Sequence, residues 1–322
     1  MELLDVKNLR VTYRTNQKNI LAVNDVSISI KQGESLGIVG ESGSGKSTLA
    51  MALLQLLPGD MTEVSGEVIF QGKDLLKCSK SELKDIRWKE LSVVFQKSMN
   101  GLSPVHKIGK QLEDIYRVHD NKSGSKAIKE RIIELLGLVN LSERVYGLYP
   151  HELSGGMLQR VSIALSLMHE PSMVIFDEAT TALDVVTQGQ ILAEIKRLTE
   201  EMSMTVMIIT HDVSVVASSC KKTAVMYAGC LMEFGDADAV LTTPAHPYTK
   251  GLLSSFPTLE GERKNLRGIP GSLPDLGSLP AGCVFAPRCD KAFKLCYKER
   301  PAYVTVSKKQ KAACHLYGGG RQ

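Results

Sequence analysis

"SLGIVGESGSGKSTLAMALLQLL", residues 35–57, decides the fold. Its first six residues form a short β-prone run, and the twelve from Lys46 onward carry apolar side chains at helical spacing. Between them lies the glycine-rich ESGSG. The stretch therefore reads as strand, glycine loop, helix. From Gly40 to Ser47 the loop is G-x-x-x-x-G-K-S. Glycines let successive backbone N–H groups curl around phosphate oxygens, and the following helix adds the partial positive charge of its N-terminus. Lys46 supplies a fixed cation for the β- and γ-phosphates, and the Ser47 hydroxyl is placed to ligate Mg²⁺. The pattern predicts an α/β nucleotide-binding fold.

The rest of the composition narrows the class. The amino terminus, MELLDVKNLRVTYR, is charged from residue 2 and has no apolar h-region, so no secretory signal is read and a cytosolic location is expected. No window approaches the roughly 18–20 continuous apolar residues that a membrane span needs. A chain of 322 residues, 43% hydrophobic, allows one large core and a smaller appended unit. The net charge of +4 is unevenly placed, with nine Lys or Arg against Asp290 and Glu299 from Ala281 onward. Such a basic run is most simply a solvated face; attraction to anionic lipid, or neutralisation of something anionic held by nearby cysteines, is the functional reading.

A second motif, MVIFDE at 173–178, is an apolar strand ending in two carboxylates. Asp177 suits the Walker-B role of holding Mg²⁺. Glu178, one residue on, is placed to polarise an attacking water as a general base. Between the two motifs, YPHELSGGMLQRVSIALSLMHEP (149–171) opens another helix with a glycine pair and an apolar stripe of Val161, Leu165 and Met168. A helix N-terminus of this kind is a second anion site. One nucleotide has no evident use for two such sites in one chain. Two head-to-tail subunits could each present Ser154, Gly155 and Gly156 to the γ-phosphate held by the other.

Together, Walker A, LSGGM at 153–157, Walker B, TALD at 181–184 and a lone His211 after the strand TVMIIT resemble an ATP-binding-cassette ATPase over residues 1 to about 255. The resemblance implies a P-loop NTPase cassette with an antiparallel β subdomain and a helical signature subdomain at about 97–168. It implies that Tyr13 stacks on adenine, that Gly40, Ser42, Gly43, Gly45, Lys46, Ser47 and Thr48 bind ATP, and that Gln96 senses Mg²⁺ and the attacking water. It further implies that Asp184 bridges two subunits and that His211 contacts the γ-phosphate. A strand aromatic is the plainer reading of Tyr13, and a satisfied core histidine that of His211. Met157 stands where the signature has glutamine, and Ala179 where proline is common.

Which cassette protein this resembles is told by further segments. The chain has one cassette, no heptad run and no fused span. VVFQKSMNGLSPVHKIGKQL (93–112), TTPAHPYTKGLL (242–253) and IPGSLPDL (269–276) followed by GCVFAPRC (282–289) resemble the oligopeptide, dipeptide and nickel importers, with a lean toward the first of their two paired ATPases. The implied partners are two integral membrane permease subunits, docked near Gln96 to Ile108, and a second, homologous ATPase subunit in a heterodimer. An extracytoplasmic solute-binding protein is implied indirectly, and the location becomes the cytoplasmic face of the membrane. A peptide is the implied cargo, with nickel or another small solute as the alternative. A soluble cassette protein on nucleic acid is the different-class reading, and 5% aromatic residues with a mild net charge give it little support, so no nucleic acid is expected.

The tail, 256–322, is read as a small irregular regulatory or oligomerisation unit with a four-cysteine metal site. Cys283, Cys289, Cys296 and Cys314 are spaced C-x₅-C-x₆-C-x₁₇-C, while the first 281 residues hold three cysteines. About 40 residues cannot bury enough core to order themselves without a metal, a disulfide or a partner surface. A reducing compartment disfavours disulfides. Structural zinc usually shows tight C-x₂₋₄-C pairs, absent here. A 4Fe-4S cluster takes four thiolates at wider spacing and suits basic surroundings, and some members of the importer family carry one. Zinc and unliganded thiols remain the alternatives.

Overall fold

The computed structural model describes residues 2–95, 101–180, 183–255 and 268–318. Gln96, Thr181 and Ala182 lie outside the described residues, as does the stretch 256–267. The chain divides into two compact units, one made of Met1–Lys77 with Ile209–Gln322, the other of Cys78–Ile208. Among the described residues no helix is long and apolar enough to cross a membrane.

The first unit opens with β1 (Glu2–Arg14) and β2 (Asn19–Lys31), paired antiparallel. Strand β3 (Ser35–Val39) follows, buried at all five positions, and helix α1 (Lys46–Leu53) begins just past the glycine loop. β4 (Thr62–Phe70) returns to the free edge of β1, and β5 (Lys73–Asp74) extends it, giving an antiparallel sheet of order β2-β1-β4-β5. One face of β1 places Leu4, Val6, Leu9 and Val11 in the core, each 1% exposed or less.

The second unit contains α2 (Lys80–Ile86), β6 (Leu91–Val94), α3 (Ile108–Tyr116), α4 (Ser125–Leu138) and α5 (Gly155–Ser166). β7 (Met173–Asp177), α6 (Val185–Glu201) and β8 (Thr205–Thr210) complete it, the last two residues of β8 counting with the first unit. β6 pairs parallel with β7 from Leu91–Met173 to Val94–Phe176. Apart from Ser92 and the terminal Asp177 both are apolar, because a parallel strand is covered on both faces. The helices are joined by a buried ion pair between Arg160 of α5 and Glu194 of α6. Glu194 also accepts from Asn140 Nδ2 at 2.7 Å, while Arg160 and Arg197 donate to the carbonyls of Val139 and Leu138 at the end of α4. Burial pushes the Glu194 carboxyl up, against the pull of Arg160 and Arg197.

The first unit resumes with α7 (Val213–Ser219), β9 (Lys222–Tyr227), β10 (Cys230–Asp236), α8 (Ala237–Thr242) and α9 (Pro247–Ser254). The tail adds α10 (Lys294–Lys298), β11 (Tyr303–Ser307) and β12 (Gln310–Ala313). β3 pairs parallel with β9, β10 antiparallel with β9, and β12 antiparallel with β10 from Glu233–Ala312 to Gly235–Gln310. The tail is thus less irregular than its sequence suggests, since it ends in a β11–β12 hairpin that widens the sheet. Nor does it rely on a core of its own. Val284, Phe285 and Ala286 are at most 3% exposed and join the cluster of Val39, Val225, Tyr227 and Tyr248.

A buried histidine fastens the tail to this core. The Nδ1 of His246 accepts from the Tyr248 backbone N–H at 3.0 Å and caps α9, and the ring also bonds the Ala313 backbone. Glu233 beneath it accepts from the backbone N–H groups of Ala245 and His246 and from Gln310 Nε2. Burial pushes the His246 imidazole down to about 3, so the folded chain holds it neutral. The unfolded chain takes up a proton near pH ~6.5, so His246 contributes stability that is complete above that pH and is lost as pH falls toward 3, at about 1.4 kcal/mol per unit. Melting curves between pH 5 and 7.5 should therefore show an acid destabilisation that is shallower in His246→Asn, where the amide retains the capping acceptor. Identical slopes in the two proteins would remove His246 from this role.

Candidate functional site

The phosphate loop is built by backbone conformations that only glycine adopts cheaply. Gly40, Gly43 and Gly45 have φ of 156°, 81° and 98°. A Cβ on Gly45 would stand 2.2 Å from the Ala22 carbonyl oxygen, and one on Gly40 would stand 2.1 Å from that of Met226. Both positions combine left-handed or extended-positive backbone with contact to a neighbouring strand, so a side chain is excluded twice over. Lys46, only 4% exposed, donates to the carbonyls of Gly40 at 2.8 Å and Glu41 at 3.0 Å and so lies along the loop. Ser47 and Thr48 occupy the first turn of α1, and Ser42 lies in the glycine loop. The Tyr13 hydroxyl is 3.4 Å from Thr48 Oγ1, which brings the half-buried ring from β1 to the side of this helix.

In the second unit Asp177 ends β7 and is 5% exposed. Glu178 follows with φ 49°, a left-handed backbone that is costly for a residue with a side chain and turns the chain sharply out of the strand. Ser154 is the N-cap of the twelve-residue helix α5, its Oγ accepting from the Met157 N–H at 3.3 Å, and Gly155 and Gly156 form the first helical turn. Asp184 caps α6 by accepting from the Thr187 N–H at 3.0 Å and the Thr187 hydroxyl at 2.6 Å. Thr187 also meets the glycine pair, for a Cβ on Gly156 would lie 2.7 Å from its Cγ2. Thr187 thereby brings Asp184 and the opening of α5 together, a contact the sequence gives no sign of. Beside it Val185 and Val186 stand 85% and 70% exposed.

His211 is exposed in the turn between β8 and α7, and Asp212 caps α7 through the Ser214 N–H. Gln96 lies outside the described residues.

The four tail cysteines surround one small cavity beside Phe285. Among the described residues no disulfide joins any two cysteines. Cys283 donates its backbone N–H to the Cys296 carbonyl at 2.8 Å, which closes the loop that carries Cys289. Burial first, and then the other thiols, push Cys283 up to about 11; burial also raises Cys289 and Cys314. Among the described residues no group of three or more His, Cys, Asp or Glu side chains is arranged to hold a metal ion. The metal-binding tail expected from the sequence is therefore not a formed site. The thiols rim a cavity instead of converging on a point, and burial favours the protonated forms of Cys283, Cys289 and Cys314.

Residues 23–181 match the family model for the ABC transporter, and residues 232–296 match that for the oligopeptide/dipeptide transporter C-terminal region. The chain is 43% identical over 316 residues to the oligopeptide transport ATP-binding protein OppD of Haemophilus influenzae, covering 98% of this chain and 97% of that one. It is 44% identical over 301 residues to OppD of Escherichia coli, covering 93% and 89%. Its structure resembles the ATP-binding cassette MJ0796 in a dimeric post-hydrolysis state bound to ADP and Pi, with a TM-score of 0.65, 30% identity and coverage of 73% of this chain and 98% of that one.

Replacing Lys46 by Ala should leave the loop's glycine geometry intact while removing its buried cation. ATP affinity should fall about 10- to 100-fold, the span of one or two charge-assisted hydrogen bonds. Nucleotide titration checks this, with circular dichroism to establish that the variant folds; parental affinity would remove Lys46 from phosphate binding.

Proposed function

The chain belongs to the ATP-binding proteins of ABC transporters, and on that footing we propose that it is the ATP-hydrolysing subunit of an importer of oligopeptides or dipeptides. The observation that carries this reading is the presence, in one chain, of the glycine phosphate cradle and of a C-terminal region of the oligopeptide/dipeptide transporter type at 232–296. In this reading the cassette runs to about residue 255 and the tail from there onward.

ATP binds on the first unit with its phosphates along Gly40–Thr48 and its adenine against Tyr13. Ser47 would ligate Mg²⁺, and the ion supplies charge neutralisation of the phosphates. Glu178, turned out of β7 by its left-handed backbone, accepts the proton of the attacking water, and His211 steadies the γ-phosphate. The exposed N-terminus of α5, with Ser154, Gly155 and Gly156, acts on the nucleotide of a partner ATPase, and Asp184 sits on that interface. Two exposed valines beside Asp184 support a covered surface there, since apolar side chains gain by leaving water. The partner is a second, homologous ATPase subunit, and the resulting pair works against two membrane permease subunits, with this chain peripheral on the cytoplasmic face. ATP binding closes the pair and hydrolysis reopens it, which drives uptake.

The four cysteines are read as the seat of a 4Fe-4S cluster with a structural role. A single zinc ion needs its sulfurs gathered at about 2.3 Å from one centre. A cluster presents four irons to four separate thiolates, which suits a cavity rimmed by Cys283, Cys289, Cys296 and Cys314. Coordination to iron would displace the thiol protons, against the burial that raises Cys283, Cys289 and Cys314.

Two outcomes test these readings. Glu178→Gln should bind ATP as the parent does and hydrolyse it about 10²- to 10⁴-fold more slowly, accumulating as an ATP-bound pair with its partner that Ser154→Arg prevents. Hydrolysis close to the parental rate would remove Glu178 from the role. Anaerobically purified protein should be brown, with about four irons per chain, and should bleach on replacement of Cys289 or Cys296. Colourless protein with one zinc or no metal would sink the cluster and leave the ATPase reading untouched.

A further inference from the structure

The phosphate loop is not held by the cassette alone. Glu41, its second residue, directs its carboxylate to the tail, where Arg288 Nη1 donates to Oε2 at 2.9 Å. The same nitrogen donates to the Tyr227 hydroxyl at 3.2 Å, and the guanidinium carbon lies 5.6 Å from the centre of that ring. Nε donates to the Pro270 carbonyl at 2.8 Å and Nη2 to that of Ile269 at 3.1 Å. All three nitrogens of the fork are thus engaged, and the Arg288 side chain is only 7% exposed, that of Glu41 25%. Burial alone would depress the guanidinium pKa, yet the bonds to Glu41 and Tyr227 outweigh it and the net shift is upward.

The backbone of Glu41 is held from the same direction. Its N–H donates to the Tyr248 hydroxyl at 3.0 Å, and the Tyr248 ring lies 5.3 Å from Phe285, two residues past Cys283. Arg288 itself precedes Cys289. One loop residue is therefore fixed at carboxylate and amide by groups that belong to, or rest on, the cysteine-bearing segment. A carboxylate inside a loop that cradles a triphosphate repels the ligand unless a cation neutralises it, and a partly buried carboxylate that loses its partner is costly.

We propose that Arg288 is a positioning residue of the nucleotide site, through which the phosphate loop and the four-cysteine unit respond to each other. It draws Glu41 aside and neutralises it, so that ATP meets the glycine cradle and Lys46 without a competing negative charge. Whatever is ligated or modified at the adjacent Cys289 moves the arginine and changes ATP affinity. By linkage, ATP must stabilise the cysteine segment by the same factor. The proposal rests on the loop being the ATP site, but not on which metal, if any, the cysteines hold.

The test uses the full-length chain, with ATP affinity and hydrogen–deuterium exchange of residues 282–298 as readouts. Arg288→Met should raise the Kd for ATP about 5- to 30-fold while leaving turnover at saturating ATP within about twofold of the parent, a KM effect without a kcat effect. Arg288→Lys should recover part of the loss, because the charge returns without the fork to Pro270 and Ile269. Saturating MgATP should slow exchange in the cysteine segment of the parent and leave it unchanged in Arg288→Met. Glu41→Gln repeats the exchange measurement in a variant whose tail keeps all the other Arg288 contacts, and it should also show no ATP protection. Unaltered ATP affinity in Arg288→Met, lowered turnover without a change in Kd, or equal ATP protection in parent and Glu41→Gln would each overturn the proposal. A parent chain that bound no ATP would sink the nucleotide-site reading itself, and the coupling with it.

Discussion

Three aromatic rings hold the first unit together. Tyr227 from β9, Tyr248 from α9 and Phe285 from the tail stand 4.7–5.3 Å apart, each at most 3% exposed. Tilted and edge-on rings at such distances gain quadrupole attraction beyond the area they bury. Each ring also makes a second connection. The Tyr248 hydroxyl accepts from the phosphate loop at Glu41, the Tyr227 hydroxyl accepts from Arg288, and Phe285 plugs the tail into the core. Burial pushes both tyrosine hydroxyls upward, so they stay protonated and can serve both as donors and acceptors. The strand that feeds the loop, α9 and the cysteine segment thus share one core.

Above that core the glycine loop is a backbone device, and the second unit repeats the logic with different parts. Gly40 and Gly45 admit no Cβ because strand carbonyls stand where it would be. Around α5 a single threonine does comparable work, since Thr187 satisfies Asp184 and packs on Gly156. The buried Arg160–Glu194 pair then fixes α5 to α6 and to the end of α4. A pair of this kind adds little net stability compared with an apolar replacement, but removing one partner leaves a charge with nowhere to go. It makes the relative placement of the two helix starts definite.

The cysteine tail shows how a short segment becomes ordered without a core of its own. It inserts Val284, Phe285 and Ala286 into an existing cluster and closes with a hairpin on the open edge of β10. His246 and Glu233 satisfy the polar backbone where the hairpin meets α9, so the covered edge is not left with unpaired groups. With the segment anchored this way, the four thiols rim a cavity beside Phe285.

The sequence by itself determined the α/β class, the phosphate loop, the carboxylate pair at the end of β7 and the glycine-opened α5. These are local properties, set by periodicity and by residue types that a few neighbouring backbone groups demand. It read the tail as irregular where the structure has a hairpin, and as a metal site where the described residues show no group arranged to hold a metal ion, because cysteine spacing along the chain says nothing about whether side chains converge. The surface that orders the segment is also remote in sequence, at Tyr248, Tyr227 and Val39. Only the tertiary structure decided that Arg288 meets Glu41 and that Thr187 meets Gly156. An ion pair or a van der Waals contact between residues remote in sequence leaves no period to read, since it is created by the packing of whole elements and not by the preferences of either residue.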